Sequence, residues 1–87
     1  MQINFSRNFR KSYRKRVAND RSLDKKFKER LILFRKDPLD SILHNHKLAG
    51  DKSGFWAFSI TGDVRVVYLK EGDDVLLYDI GSHNQVY

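Results

Sequence analysis

The sequence predicts an α+β fold of order β-α-α-β-β-β, with an N-terminal helical hairpin packed on one face of a small antiparallel sheet. Three observations predict it. Apolar residues recur at helical spacing between residues 7 and 36. From residue 54 onward the texture changes to β-branched and aromatic runs. Short Gly-Asp connections separate those runs, as in a hairpin meander. The 87 residues form one domain, 1–87, which at this size buries about two-thirds of its unfolded surface.

The elements follow in order. "INF" (3–5) reads as a short edge strand. Ser6 is suited to cap a helix whose apolar face carries Phe9, Tyr13 and Val17 at i, i+4 and i+8. Its other faces carry Arg7, Arg10, Lys11, Arg14, Lys15 and Arg16. "NDRS" breaks the pattern, and Ser22 is expected to cap a second helix with Asp24 in its first turn. Leu23, Phe27, Leu31 and Phe34 supply its buried stripe, widened by Ile32 and Leu33, until Asp37-Pro38 stops it. A connector containing His44 and His46 leads to "GFWAFSI" (54–60), "VRVVYL" (64–69) and "VLLYDI" (75–80). These make a three-stranded antiparallel meander that the first strand can extend.

Charge is distributed unevenly. Residues 1–36 hold 13 Lys/Arg against three acids, a balance of +10; residues 37–87 hold four against eight, a balance of −4. That polarity points to a polyanionic partner for the first half, nucleic acid or an acidic protein. Without cysteine there is neither a disulfide framework nor a thiolate zinc site. "MQINFSRNF" lacks the pattern of a signal peptide, and no run of about 18 apolar residues suits a membrane span. A soluble cytoplasmic protein with no membrane contact is expected.

Groups able to move protons near neutral pH are few. Histidine, with a reference pKa of about 6.5, serves as acid or base with little tuning. His46 precedes the meander and His83 follows it, while Asp63 and Arg65, at i and i+2, are expected on one sheet face. Such a set suits cleavage of an RNA phosphodiester. One group takes the proton of a 2′-hydroxyl, another protonates the leaving 5′-oxygen, and the guanidinium stabilises the phosphorane. RNA supplies its own nucleophile, so no metal or other cofactor is called for. His44 and His46 at i and i+2 offer at most two ligands, with no third close by. Each residue also has a plainer reading: loop surface for His44, turn residue for Asp63, surface salt bridge for Arg65, core for Trp56, Phe58 and Tyr68.

"GDVRVVYLKEGDDVLLYDIGSHNQVY" (62–87) resembles the C-terminal half of the RelE-like toxins of bacterial toxin–antitoxin pairs. The shared pattern is a Gly-Asp-x-Arg-Val-x-Tyr strand, a Gly/Asp turn, a last strand, then Gly-x-His and a terminal aromatic. "HNHKLAGDKSGFWAFSI" (44–60) is most similar to the YafQ-like branch, where His-x-Leu-x-Gly precedes a strand. The resemblance implies a RelE-like fold and a ribosome-dependent mRNA interferase held silent by an acidic antitoxin, through which alone it would bind operator DNA. It implies catalytic roles for His46, Asp63, Arg65, His83 and Tyr87, with Arg65 on the phosphate and Tyr87 in catalysis or on a base. Which of His46, Asp63 and His83 takes or gives the proton stays open here. Arg10, Lys11, Arg14 and Lys15, with Lys47 and Lys52, are the expected RNA-backbone contacts, alongside ribosome and mRNA as partners. Two positions depart from the pattern. Ser59 stands where relatives can carry another histidine, and Asp79 where many carry a second arginine. Two rivals remain: a ParE-like toxin that inhibits gyrase by protein contact, and a basic RNA-binding module with little or no catalysis.

Overall fold

Ser6 and Asp20 set the two long helices of the computed structural model, which describes residues 1–87. Ser6 ends strand β1 (Ile3–Phe5), and its hydroxyl accepts from the Phe9 amide to start α1 (Arg7–Arg16). Helix α2 (Arg21–Lys36) begins earlier than the Ser22 reading expects. The Asp20 carboxylate takes the Leu23 amide and is the cap, so Ser22 falls inside the first turn. Asp24 lies in that turn as expected, and the helix ends before Asp37-Pro38.

The helices carry the chain across the sheet from one edge to the other. The far edge is a strand the sequence did not announce, β2 (His46–Lys47), formed by the histidine connector itself. Strands β3 (Phe55–Ser59), β4 (Val64–Glu71) and β5 (Asp74–Ser82) then return, giving the order β1-β5-β4-β3-β2. The meander is antiparallel, but β1 pairs parallel to β5, so the five-stranded sheet is mixed rather than antiparallel. This follows from connectivity. The helical crossover lands on the opposite edge, and three further reversals bring β5 back beside β1 in the same direction. Past β5 the chain makes one further turn of helix, α3 (His83–Val86).

The core lies between the helices and one face of the sheet. Phe9, Val17, Phe27 and Phe34 meet Phe58, Ile60, Val66, Tyr68, Val75, Leu77 and Ile80 there. Phe34 is the keystone: its ring stacks on Phe58 at 4.3 Å and meets the edge of Tyr68 at 5.1 Å. Ile32, expected to widen the buried stripe, instead faces solvent at 70 % exposure, since one residue along a helix is about 100° of rotation away from Leu31. Phe58 and Tyr68 are buried as expected, and Trp56 packs half-buried against the same cluster.

A bulge sets which β5 residues face which way. Val67 pairs with Asp79 and Tyr68 with Leu77, which leaves Tyr78 without a cross-strand partner. Leu77 and Ile80 can therefore both point into the core, while Asp79 and Gly81 share the other face with Val67 and Arg65. The Tyr78 carbonyl accepts from the Ser6 hydroxyl and the Asn8 amide at 3.1 and 2.9 Å, tying the bulge to the start of α1.

Candidate active site

Pairing across the sheet decides which candidates share a surface. His46 lies opposite Ala57, Ala57 opposite Val67, and Val67 opposite Asp79; Ser59, Arg65 and Gly81 form the next row. Cross-strand partners stand on one face. His46 and Arg65 therefore share the face that the core does not use.

His46 is held by its neighbours. Asn45 turns inward, where its carbonyl oxygen accepts from the buried Tyr68 hydroxyl at 2.7 Å and its amide donates to the Pro38 carbonyl at 3.0 Å. That anchors the middle of "HNH" and leaves both histidines exposed. Burial raises the Tyr68 pKa, partly offset by the Asn45 bond, so the phenol stays protonated as donor. His44 adopts a left-handed backbone (φ 47°), and its carbonyl lies 2.7 Å from His46 Nδ1. A carbonyl only accepts, so Nδ1 carries the hydrogen, which leaves Nε2 as the ring nitrogen open to a further partner.

Arg65 joins two groups of residues. Its guanidinium carbon lies 5.7 Å from the centroid of the Tyr87 ring, and Tyr87 meets the His83 ring edge-on at 4.6 Å. Helix α3 places these two residues one turn apart, held by a Ser82–Gln85 capping box in which the Ser82 amide donates to Gln85 Oε1 at 2.8 Å. Arg65 also lines an open cleft of about 720 Å³ together with His46. Its Nε is buried and has no hydrogen-bond partner. Neither Asp63 nor Glu71 pairs with it, since the ion pairs of the molecule are Arg16–Asp79 and Lys28–Asp24.

Asp63 stands apart. It lies exposed in the turn before β4, where its own amide and that of Val64 donate to the Thr61 hydroxyl. No bond links it to His46, Arg65 or His83. Thus His46, Arg65, His83 and Tyr87 occupy one connected surface, and Asp63 flanks it. Among the cations expected to contact RNA, Arg10, Lys11, Arg14 and Lys15 are exposed on α1, with Arg10 over the Phe5 ring. Lys47 lies over Trp56, in the row shared with Tyr68, and Lys52 over Phe55 on the opposite face of β3.

One residue that sequence reasoning missed belongs here. Strand β1 pairs only with residues 75–77, so the edge of β5 beyond is free. Arg16, at the end of α1, donates to the Ile80 carbonyl at 3.0 Å on that edge and pairs with the Asp79 carboxylate at 3.3 Å. Asp79 also accepts from the Ile80 amide at 2.9 Å. The position that departs from the RelE pattern thus has its charge offset by an arginine from another element. Gly81 leaves room for both side chains: a Cβ there would come within 2.7 Å of Gln85 Oε1 and 2.8 Å of Arg16 Nη1, so each would have to shift.

Comparison with known proteins bears on what this surface belongs to. The family model described as "Bacterial toxin of type II toxin-antitoxin system, YafQ" matches residues 1–87. The chain is similar to a copper-bound mutant toxin from Helicobacter pylori, with 31% identity, a TM-score of 0.76, and coverage of 100% of this chain and 99% of that one. It is similar in fold to YafQ from E. coli strain BL21(DE3), at 19% identity and TM-score 0.81, covering 99% of this chain and 97% of that one. The toxin of the E. coli DinJ–YafQ toxin–antitoxin complex gives 20% identity and TM-score 0.79, with coverage of 99% and 96%. No curated protein matches the sequence.

Proposed function

The chain belongs to the YafQ family of bacterial type II toxins, and from that premise we propose that it is an mRNA interferase. In this reading it is an endoribonuclease that cuts mRNA on the ribosome without a metal ion. The observation that carries the reading is the His46 arrangement: Nδ1 bound to the His44 carbonyl, with His46 lining the same cleft as Arg65. His46 Nε2 removes the proton of the 2′-hydroxyl, and the resulting oxygen attacks the adjacent phosphorus. Arg65, whose Nε lacks a partner, takes the charge that develops on the phosphorane oxygens. His83 in its protonated form gives its hydrogen to the departing 5′-oxygen, leaving a 2′,3′-cyclic phosphate and a 5′-hydroxyl. Tyr87, against both Arg65 and His83, fixes their positions and offers a face for a base. Asp63 has no hydrogen bond or ion pair to these groups and is given no proton-transfer step.

The partners follow from the same reading. An acidic antitoxin silences the toxin in the cytoplasm, as the E. coli YafQ toxin is found with DinJ. The complex reaches operator DNA only through the antitoxin. The exposed cations of α1, with Lys47 and Lys52, follow RNA phosphates, so binding weakens steeply as salt rises. The test is cleavage of mRNA in translating ribosomes by wild type and by His46→Ala, His83→Ala and Arg65→Ala. All three variants should cut far less. Equal cutting by all four proteins refutes the assignment, and intact mRNA with trapped DNA gyrase favours the ParE-like alternative.

A further inference from the structure

The cleft that holds His46 and Arg65 has a second wall, built from helix α2. Lys26 and Arg30 line it, one helical turn apart, with about 5–6 Å expected between their Cβ atoms. His44 also lines the cleft, and no carboxylate is among the lining residues. Lys26 and Arg30 are half-buried, whereas Lys25, Lys28 and Glu29 beside them are exposed. Neither has an ion pair or a side-chain hydrogen bond; of the two carboxylates on this helix, Asp24 is taken by Lys28 and Tyr13, and Glu29 is exposed outside the cleft lining and pairs with neither cation. Two like charges at i and i+4 oppose helix formation by about 0.2–0.5 kcal/mol. Arg65, whose buried Nε has no partner, lines the same cleft where it opens past the end of the sheet. A cleft that gathers this much positive charge without a counter-charge in the protein is matched to an anion from outside.

We infer that Lys26 and Arg30 form a second phosphate-binding subsite, which holds the backbone of the substrate RNA strand next to the phosphate that Arg65 engages. The inference rests on the endoribonuclease reading for the identity of the strand. Continuity argues for the substrate over structural RNA of the ribosome: the two cations share a single cleft with His46 and Arg65, so the phosphate they hold and the reacting one lie on one path. The subsite positions; it takes no part in proton transfer.

The test uses a fluorescein-labelled single-stranded oligoribonucleotide carrying 2′-deoxy substitutions, which cannot be cut, and follows anisotropy over a salt series without ribosomes. Lys26→Gln/Arg30→Gln should weaken binding roughly tenfold or more. It should also flatten the dependence of log K on log salt by roughly 1.4, about 0.7 for each cation no longer neutralising a phosphate. Arg35→Gln/Lys36→Gln removes the same charge from exposed positions of the same helix and should change both quantities far less. Circular dichroism and thermal melting check that each protein folds. Equal losses in the two double variants overturn the inference, as does a loss seen only on ribosomes. Polyglutamate bound as tightly as the oligonucleotide, and lost with the same two side chains, would assign the cleft to an acidic peptide and also overturn it. RNA binding through Lys26 and Arg30 by a protein that cuts no mRNA leaves the subsite standing and removes the nuclease reading.

Discussion

The two faces of the sheet are built from the same strands and solve opposite problems. Along β4, Val66 and Tyr68 point into the helices while Arg65 points away. On the helix side the polar atoms are matched: Tyr68 donates to Asn45, and Tyr13 to Asp24. Arg65, pointing away, has an Nε without a partner, and the cleft it lines, which reaches round to Lys26 and Arg30 of α2, holds no carboxylate. A core is stabilised by apolar burial and satisfied hydrogen bonds, whereas a binding face must leave donors unsatisfied until the ligand arrives. Stability and activity should therefore respond to different substitutions, even between adjacent residues of one strand.

The sharpest way to break this comparison is in the core. Phe34→Ala should lower the unfolding free energy by about 3–5 kcal/mol, a large part of what a small domain has, as read by urea denaturation. A loss below about 1 kcal/mol would mean that Phe34 does not organise the stack with Phe58 and Tyr68. Arg65→Ala is the counterpart on the other face. Cleavage should fall by about 10²–10³-fold with the urea midpoint unchanged or slightly raised, because a buried unpartnered donor is removed. A large drop in stability would contradict the division of labour.

Two substitutions probe where the faces communicate. Asn45→Ala leaves the buried Tyr68 hydroxyl without its acceptor and frees the histidine connector. It should reduce both stability, by about 1–3 kcal/mol, and cleavage. Loss of stability with full activity would show that Asn45 does not position His46. Arg16→Ala exposes the Asp79 charge beside Gly81 and should slow cleavage by roughly tenfold, about 1.4 kcal/mol in barrier. Adding Asp79→Asn should restore part of that rate, a non-additivity expected only when the two side chains act on each other.

The smallest effect concerns pH. The Tyr13 hydrogen bond, then Lys28, holds the Asp24 carboxyl below the usual carboxylate range. Its contribution to stability is present above the unfolded value of about 4 and is lost as pH falls through the lowered one. Tyr13 is shifted the other way, upward, by burial and then by Asp24. Its contribution is present below the unfolded value of about 10 and is lost as pH rises beyond it. Melting temperature should thus fall slightly at both ends of the pH range, and Tyr13→Phe should flatten both limbs. Identical profiles for the two proteins would remove the Tyr13–Asp24 bond as a contributor.

Much of the architecture is legible in the sequence because it is local. Ser6 followed by Phe9, Tyr13 and Val17 defines a capped amphipathic helix within a dozen residues. Asp37-Pro38 ends its neighbour, and the runs around Phe58, Val66 and Leu77 alternate as strands must. The second cap differs from the sequence reading because Asp20 and Ser22 are both competent acceptors, and only the path out of α1 decides between them. His46–Lys47 escapes recognition as a strand because two residues carry no periodicity. The pairing of Lys47 with Trp56 makes them one. The mixed character of the sheet follows from where the helical crossover lands, which no local pattern encodes.

By itself the sequence determined the element types, the basic first half and the residues suited to proton transfer, since each depends on side-chain chemistry and near neighbours. Tertiary structure decided which of them meet. It set His46 and Arg65 on one face while leaving Asp63 at the turn. It brought Lys26 and Arg30 into their cleft, and it carried Arg16 across 63 residues of chain to Asp79. The physical reason is that a functional surface is made by strand order and helix placement, which are set by how the whole chain buries its apolar face.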